Sequence, residues 1–175
     1  MFLFDKPFTV QHKPFVYFTI ESALDEDISD QLSLEYLDGK EGNSKLWKEF
    51  VDLHTSKANE ISDLFDESFN LPSDELIPEI NFPAHYPSKE ILGRDWHIDG
   101  LGKKYQIIYY MGDSNITAGE IELASDDTGS NKVTIPFKHN RVIVFHNQVN
   151  VSWHRYFLPK NGIRKTWNMP LNYKS

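Results

Sequence analysis

The chain has 175 residues, of which 39% are hydrophobic and 14% aromatic, enough to bury the core of a globular domain. It contains no cysteine, which excludes disulfides and thiolate metal sites. The formal net charge is −8 and unevenly distributed: residues 1–127 carry 26 acidic and 10 basic groups, whereas residues 128–175 carry 8 basic groups and no acidic one. Because binding a phosphate backbone requires many Lys and Arg residues, we do not expect an extended nucleic-acid site.

Targeting signals are not apparent in the sequence. Asp5 and Lys6 interrupt the opening apolar residues too early for a signal peptide, and no apolar stretch approaches the roughly 18 residues of a membrane span. These features predict a soluble, intracellular (cytoplasmic) protein without a membrane partner. We expect residues 1–175 to form a single domain, in which residues 1–78 support a core formed by residues 79–175.

The N-terminal part of the chain predicts one strand and two helices. Residues 14–20 are mostly β-branched or aromatic, which is typical of a strand. Apolar residues at four-residue spacing then predict a helix over residues 26–37, and a longer apolar stripe predicts one amphipathic helix over residues 44–67. Such stripes usually pack against a sheet, so we expect the helices to buttress one.

From residue 79 onward the pattern changes to short strands separated by polar turns, such as those at 112–115 and 126–131. Eight strands are predicted: Glu79–His85, Arg94–Asp99, Tyr105–Met111, Glu120–Ala124, Lys132–Phe137, Arg141–Phe145, Trp153–Leu158 and Lys165–Leu171. This arrangement predicts a mostly β fold with N-terminal helices, in which two sheets form a double-stranded β-helix, or jelly roll.

The most informative motif lies near the middle of the chain, in Trp96-His97-Ile98-Asp99-Gly100. Alternate side chains of a strand point to the same face about 6.6 Å apart, so His97 and Asp99 can both turn toward one ion. A histidine from another strand would complete a two-histidine, one-carboxylate set, which favours non-haem Fe(II) with open coordination positions. His146 and His154 are the downstream candidates for that third ligand.

These residues resemble the 2-oxoglutarate- and Fe(II)-dependent dioxygenases, and in particular their prolyl-hydroxylase-like branch. The resemblance covers roughly residues 79–173 and is carried by His97-Ile98-Asp99, Ile108-Tyr109-Tyr110-Met111, Ala118-Gly119-Glu120-Ile121, His154, and Arg164 within Gly-Ile-Arg-Lys-Thr-Trp. It implies that His97, Asp99 and His154 are the catalytic metal ligands, because His146 lacks an arginine at the family spacing. It also implies that Arg164, Tyr110 and Tyr86 bind 2-oxoglutarate, with Arg164 pairing with the distal carboxylate.

The resemblance further implies an enzyme that uses Fe(II), 2-oxoglutarate and O2. Its product would be a hydroxylated peptide, with proline the target typical of the branch, or a hydroxylated small molecule, together with succinate and CO2. The alternative is a non-catalytic jelly-roll binding module that retains a metal-site-like sequence. Such a module has no chemical need for three ligands and a placed arginine, so the sequence favours the enzyme.

Overall fold

The computed structural model describes residues 4–37, 44–71, 76–78, 84–85, 94–100, 102–112, 116–161 and 164–173. It contains three helices, α1 (Glu26–Leu37), α2 (Lys45–Ser56) and α3 (Ala58–Phe69). The strands are β1 (Tyr17–Ile20), β2 (Leu76–Pro78), β3 (Ala84–His85), β4 (Arg94–His97), β5 (Lys103–Gly112), β6 (Ile121–Ala124), β7 (Val133–Ile135), β8 (Arg141–His146), β9 (Trp153–Tyr156), β10 (Arg164–Asn168) and β11 (Leu171–Tyr173). Among the described helices, none is long and apolar enough to cross a membrane.

The strands form two antiparallel sheets. The major sheet has seven strands in the order β1-β8-β5-β10-β3, with β11 pairing with β5 and β2. The minor sheet has four strands in the order β4-β9-β6-β7. A mostly β fold of two sheets with N-terminal helices confirms the predicted fold class.

The central strand β5 shows how the core is divided between the two faces of the major sheet. Its residues Tyr105, Ile107 and Tyr109 belong to a hydrophobic cluster that includes the buried faces of the helices. Its alternate residues Ile108 and Tyr110 belong to a second cluster, shared with residues of β6 and β7 in the minor sheet. Since side chains alternate along a strand, Gln106, Ile108 and Tyr110 face the space between the sheets.

The helix predicted over residues 44–67 is two helices in the structure. Ser44 caps the first, with its Oγ accepting a hydrogen bond from the Trp47 N–H at 3.2 Å. Lys57 separates α2 from α3, with φ −107° and ψ 9°. Because no Gly or Pro marks this position and the apolar stripe continues through α3 to Phe69, the sequence pattern gives no sign of the break.

Several predicted strands have other bounds in the structure, and two of these differences affect the candidate site or the pairing of strands. The strand predicted over Arg94–Asp99 ends at His97, so Asp99 lies beyond it. The strand predicted over Lys165–Leu171 is divided into β10 and β11, and both pieces pair with β5. Pro170 lies between the pieces and has no N–H to donate to a strand ladder, which accounts for the interruption.

Candidate active site

The proposed metal ligands come together at one end of the minor sheet. His97 at the end of β4 pairs with His154 of β9, and their ring centroids lie 4.1 Å apart. The Nε2 atom of His154 lies 3.6 Å from the Oδ2 atom of Asp99. One potential ligand atom from each of the three residues lies within 4.8 Å of the other two.

Backbone carbonyls determine which ring nitrogen carries the proton in His97 and in His154. Nδ1 of His97 lies 2.8 Å from the carbonyl oxygen of Asp95, and Nδ1 of His154 lies 3.2 Å from that of Ser152. A carbonyl can only accept, so each Nδ1 carries the proton and donates it. Nε2 of each ring is then the unprotonated nitrogen that can ligate a metal ion, the arrangement that metal-ligating histidines usually adopt.

Asp99 is oriented by side chains rather than by strand pairing. The Nε2 atom of Gln106, on the inward face of β5, donates to Oδ2 of Asp99 in a short hydrogen bond. On the other side, Nζ of Lys103 lies 4.0 Å from Oδ1. Gln106 is buried, and the Asp99 side chain is 17% exposed. The carboxylate therefore lies at the edge of the protein interior.

A cavity of about 130 Å³ opens between the two sheets at this cluster. Both histidines and Asp99 line one side, and residues of β5 and β10 line the other. The full lining comprises His97, Asp99, Lys103, Gln106, Ile108, Ile121, His154, Tyr156, Arg164, Thr166 and Asn168. The cavity therefore joins the candidate metal ligands to Arg164.

Arg164 is buried, with 2% of its surface exposed. Its Nε donates to the Gly119 carbonyl at 2.8 Å, and its Cζ lies 5.2 Å and 5.1 Å from the ring centroids of Tyr110 and Tyr156. Among the described residues, its Nη1 atom has no hydrogen-bond partner although it is buried. A buried N–H of a charged group that lacks an acceptor is costly, which points to an anionic ligand as the missing partner of Nη1.

Tyr110 lies beside Arg164 but does not line the cavity. Its ring stacks on Phe137 with centroids 4.9 Å apart, and its buried hydroxyl has no hydrogen-bond partner within the described parts of the chain. Burial raises the pKa of this hydroxyl, and the charge of Arg164 opposes the rise only partly, so the group stays protonated and able to donate. Tyr86 lies outside the described residues, and its role stays a prediction.

His146 lies apart from the cluster. It is the last residue of β8 and has the same parity as Val142 and Val144, which face the helices. Its ring centroid lies 5.6 Å from that of Tyr105, and its Nδ1 is 2.8 Å from Nε2 of Gln148. The structure thus brings His154, rather than His146, to His97 and Asp99.

Sequence reasoning missed five polar cavity residues, Lys103, Gln106, Tyr156, Thr166 and Asn168. A signal for all but Lys103 was present in the two-residue period of the strands. Counting back by two residues from Tyr110 gives Ile108 and Gln106, and counting forward from Arg164 gives Thr166 and Asn168, so these side chains share a face with the predicted site residues. Tyr156 follows His154 by the same step on β9.

The donor set fits the metal ion and co-substrate that the resemblance implies. Two imidazoles and one carboxylate form a mixed nitrogen and oxygen set suited to Fe(II), and they converge from one side of the cavity. Arg164, whose Nη1 has no hydrogen-bond partner among the described residues, lines the same cavity, and a carboxylate is the acceptor that suits a guanidinium.

Comparison with known proteins identifies the fold. No family model matches the sequence, and no curated protein matches it. A prolyl-4-hydroxylase from Pseudomonas putida matches the structure with a TM-score of 0.64 at 10% identity, over 90% of this chain and 92% of the other. The chain has the prolyl-hydroxylase fold.

Two further structures support the same conclusion. A prolyl hydroxylase from Trichoplax adhaerens, solved in complex with a peptide fragment of the hypoxia-inducible factor oxygen degradation domain, matches with a TM-score of 0.61 at 14% identity, over 89% of this chain and 83% of the other. The viral collagen prolyl hydroxylase from Paramecium Bursaria Chlorella virus-1 matches with a TM-score of 0.61 at 15% identity, over 100% and 97% of the two chains. The predicted resemblance to the prolyl-hydroxylase-like branch is therefore confirmed at the level of the fold.

Proposed function

We propose that this protein is an Fe(II)- and 2-oxoglutarate-dependent dioxygenase that hydroxylates a peptidyl substrate. The observation that carries the proposal is the convergence of His97, Asp99 and His154 in one cavity with the unpaired guanidinium nitrogen of Arg164. A metal site alone would suit a binding module. A buried, unsatisfied cation beside it calls for a second, anionic ligand.

Each residue has a distinct role in this proposal. His97, Asp99 and His154 hold Fe(II), and Arg164 binds the distal carboxylate of 2-oxoglutarate. When bound, Fe(II) and 2-oxoglutarate supply the activation of O2 that inserts oxygen into a C–H bond, with release of succinate and CO2. Tyr110 supports Arg164 through its ring, whose centroid lies 5.2 Å from Cζ of the arginine.

A peptide is the preferred substrate class for two reasons. The Trichoplax adhaerens protein with this fold was solved with a peptide fragment bound. In addition, the strongly acidic residues 1–127 suit a neutral or cationic segment better than a nucleic acid. A peptidyl proline is the first target to test, and a free small molecule is the alternative.

The proposal is tested by anaerobic titration of the metal-free protein with Fe(II) and then with 2-oxoglutarate. We expect the weak visible charge-transfer band of the chelate to form in the wild type and to be absent in His97→Ala. Admission of O2 with a panel of proline-containing peptides should then give succinate and a peptide that has gained one oxygen atom. Binding of Fe(II) without the band on addition of 2-oxoglutarate would favour the non-catalytic binding module.

A further inference from the structure

Among the described residues, one backbone hydrogen bond closes the turn that follows Asp99, from the Lys103 N–H to the Gly100 carbonyl at 3.2 Å. Strand β4 ends at His97, so Asp99 and the next residues are not held by the ladder of the minor sheet. Positions 100 and 102 are both glycine, and a Cβ at either would meet no atom within 4 Å. Glycines in open space leave a backbone free to change conformation, so other contacts must fix the position of Asp99.

Asn147 supplies such contacts from the loop between β8 and β9. Its Nδ2 atom donates to the carbonyl oxygens of Gly100 and Lys103, at 3.1 Å and 3.0 Å, which are the two ends of the turn. Its own backbone N–H donates to the Lys104 carbonyl at 2.8 Å. The two carbonyls also settle which side-chain atom is the nitrogen, since only N–H groups can donate to them.

The remaining side-chain atom of Asn147 faces the strand that carries the distal histidine. Its Oδ1 lies 3.3 Å from Oγ of Ser152. The Ser152 carbonyl accepts the Nδ1–H of His154, the bond that makes Nε2 the unprotonated nitrogen of that ring. Asn147 therefore uses both amide donors, whereas its Oδ1 shares the single Ser152 hydroxyl proton with the Gln148 carbonyl, which lies closer, at 2.9 Å. The residue is buried, with 8% of its surface exposed.

The geometry points to Asn147 as a positioning residue that sets the spacing between Asp99 and His154 in the metal site. This inference rests on the proposed function and adds to it a residue outside the ligand set. It holds the turn next to Asp99 with two hydrogen bonds and contacts Ser152, the residue that orients His154. Removing its donors should loosen the carboxylate relative to the imidazoles and weaken metal binding.

Asn140 provides a matched control. It is also a buried loop asparagine, and its side chain donates to the Leu24 carbonyl and accepts from the Leu24 N–H, both at 2.9 Å. Its contacts join the loop before β8 to the loop before α1, and it does not line the candidate metal cavity. Loss of its donor should therefore cost stability without affecting the metal ligands.

The experiment is a titration of metal-free wild type, Asn147→Asp and Asn140→Asp with Mn(II), a redox-stable substitute for Fe(II), following free Mn(II) by EPR. Aspartate keeps the shape of asparagine but cannot donate to a carbonyl. We expect Asn147→Asp to bind Mn(II) about 10- to 100-fold more weakly, the usual effect of losing a residue that orients metal ligands. Asn140→Asp should bind Mn(II) as the wild type does, although both variants should melt at lower temperature. The negative charge added at 147 would by itself attract a cation, so weaker binding reports the lost hydrogen bonds.

The outcomes are distinguishable. A wild type that binds Mn(II), with Asn147→Asp binding it equally well, overturns this inference alone. A wild type that binds no Mn(II) overturns the proposed function as well. Should Asn147→Asp fail to fold by circular dichroism, Asn147→Ser replaces it, since serine retains one donor. Unchanged Mn(II) affinity in a folded Asn147→Ser protein would then reject the positioning role.

Discussion

Gly119 packs against two atoms of the Arg164 side chain, Nε and Cδ. The Gly119 carbonyl accepts a hydrogen bond from Nε of Arg164 at 2.8 Å, and a Cβ built on Gly119 would lie 3.2 Å from Cδ of Arg164. Gly119 also has a φ of +82°, a conformation that L side chains rarely adopt. The glycine thus provides both the backbone acceptor and the space that place the guanidinium in the cavity.

We predict that Gly119→Ala weakens 2-oxoglutarate binding and destabilises the protein. The positive φ alone should cost about 1–2 kcal/mol of folding free energy, and the new methyl group would press on the stem of Arg164. Calorimetric titration of the Mn(II)-loaded variant with 2-oxoglutarate measures the first effect, and urea unfolding measures the second. A destabilised variant with wild-type affinity for 2-oxoglutarate would show that Gly119 does not position Arg164 for ligand binding.

Arg164 itself should be intolerant even of lysine. Loss of a charge-assisted pair costs about 1.5–3 kcal/mol, which corresponds to roughly 10- to 150-fold in affinity. An ammonium group cannot reproduce the planar, bidentate fork, so Arg164→Lys should recover little of the loss seen in Arg164→Ala. Both variants should still bind Mn(II) as the wild type does. If 2-oxoglutarate affinity is unchanged in Arg164→Ala, the arginine is not its partner.

The two downstream histidines make a matched pair of variants. We predict that His154→Ala abolishes iron-dependent turnover of 2-oxoglutarate, as should His97→Ala and Asp99→Ala, because each removes a ligand from the cluster. His146→Ala should retain most of the turnover, because His146 contacts Tyr105 and Gln148 instead of the cluster. Succinate formation in the presence of Fe(II) measures both effects. An inactive His146→Ala protein beside an active His154→Ala protein would reverse the ligand assignment.

The fold class and the grouping of His97, Asp99, His154 and Arg164 around one cavity could be predicted from the sequence. Both depend on the hydrophobic period of the strands and on residue type. His97 and Asp99 have the two-residue spacing of a strand face. The pattern of the downstream strands predicts His154 and Arg164 on neighbouring strands that face one cavity, whereas in the structure β9 and β10 belong to different sheets on either side of that cavity. The pairing of His97 with His154 across β4 and β9 is a register between distant segments, which no local pattern specifies.

The contacts that orient the ligands were not predictable for the same reason. Gln106 is an ordinary polar residue in a strand until β5 is known to lie opposite Asp99. Asn147 likewise belongs to a residue type that is common in turns. Its role in positioning Asp99 follows only from the packing of its loop against the Gly100–Lys103 turn. The break at Lys57 carries no Gly or Pro and was also missed. The role of Tyr86 stays a prediction.

His54 of α2 connects the helices to the major sheet through a buried hydrogen-bond chain. Its Nδ1 donates to the Phe50 carbonyl at 2.9 Å, and its Nε2 accepts from the Tyr109 hydroxyl at 2.6 Å. Burial lowers the pKa of His54 from its ordinary 6.5 to about 4. The folded protein therefore keeps this ring neutral at a pH where the unfolded chain takes up a proton.

This difference predicts a specific loss of stability in mild acid. The contribution of neutral His54 is complete above about pH 6.5 and falls as the pH drops toward 4, because protons then favour the unfolded chain. At 1.36 kcal/mol per pKa unit, the folding free energy should fall by about 2 kcal/mol between about pH 7.5 and pH 5 on account of this residue. Urea unfolding at both pH values measures this fall in folding free energy. The part due to His54 should be missing in His54→Gln and retained in His12→Gln, which alters an exposed histidine. Burial also lowers the pKa of His146, and this residue contributes equally to the pH dependence of stability in all three proteins. An identical pH dependence in His54→Gln and the wild type would show that His54 is not the group held neutral by the fold.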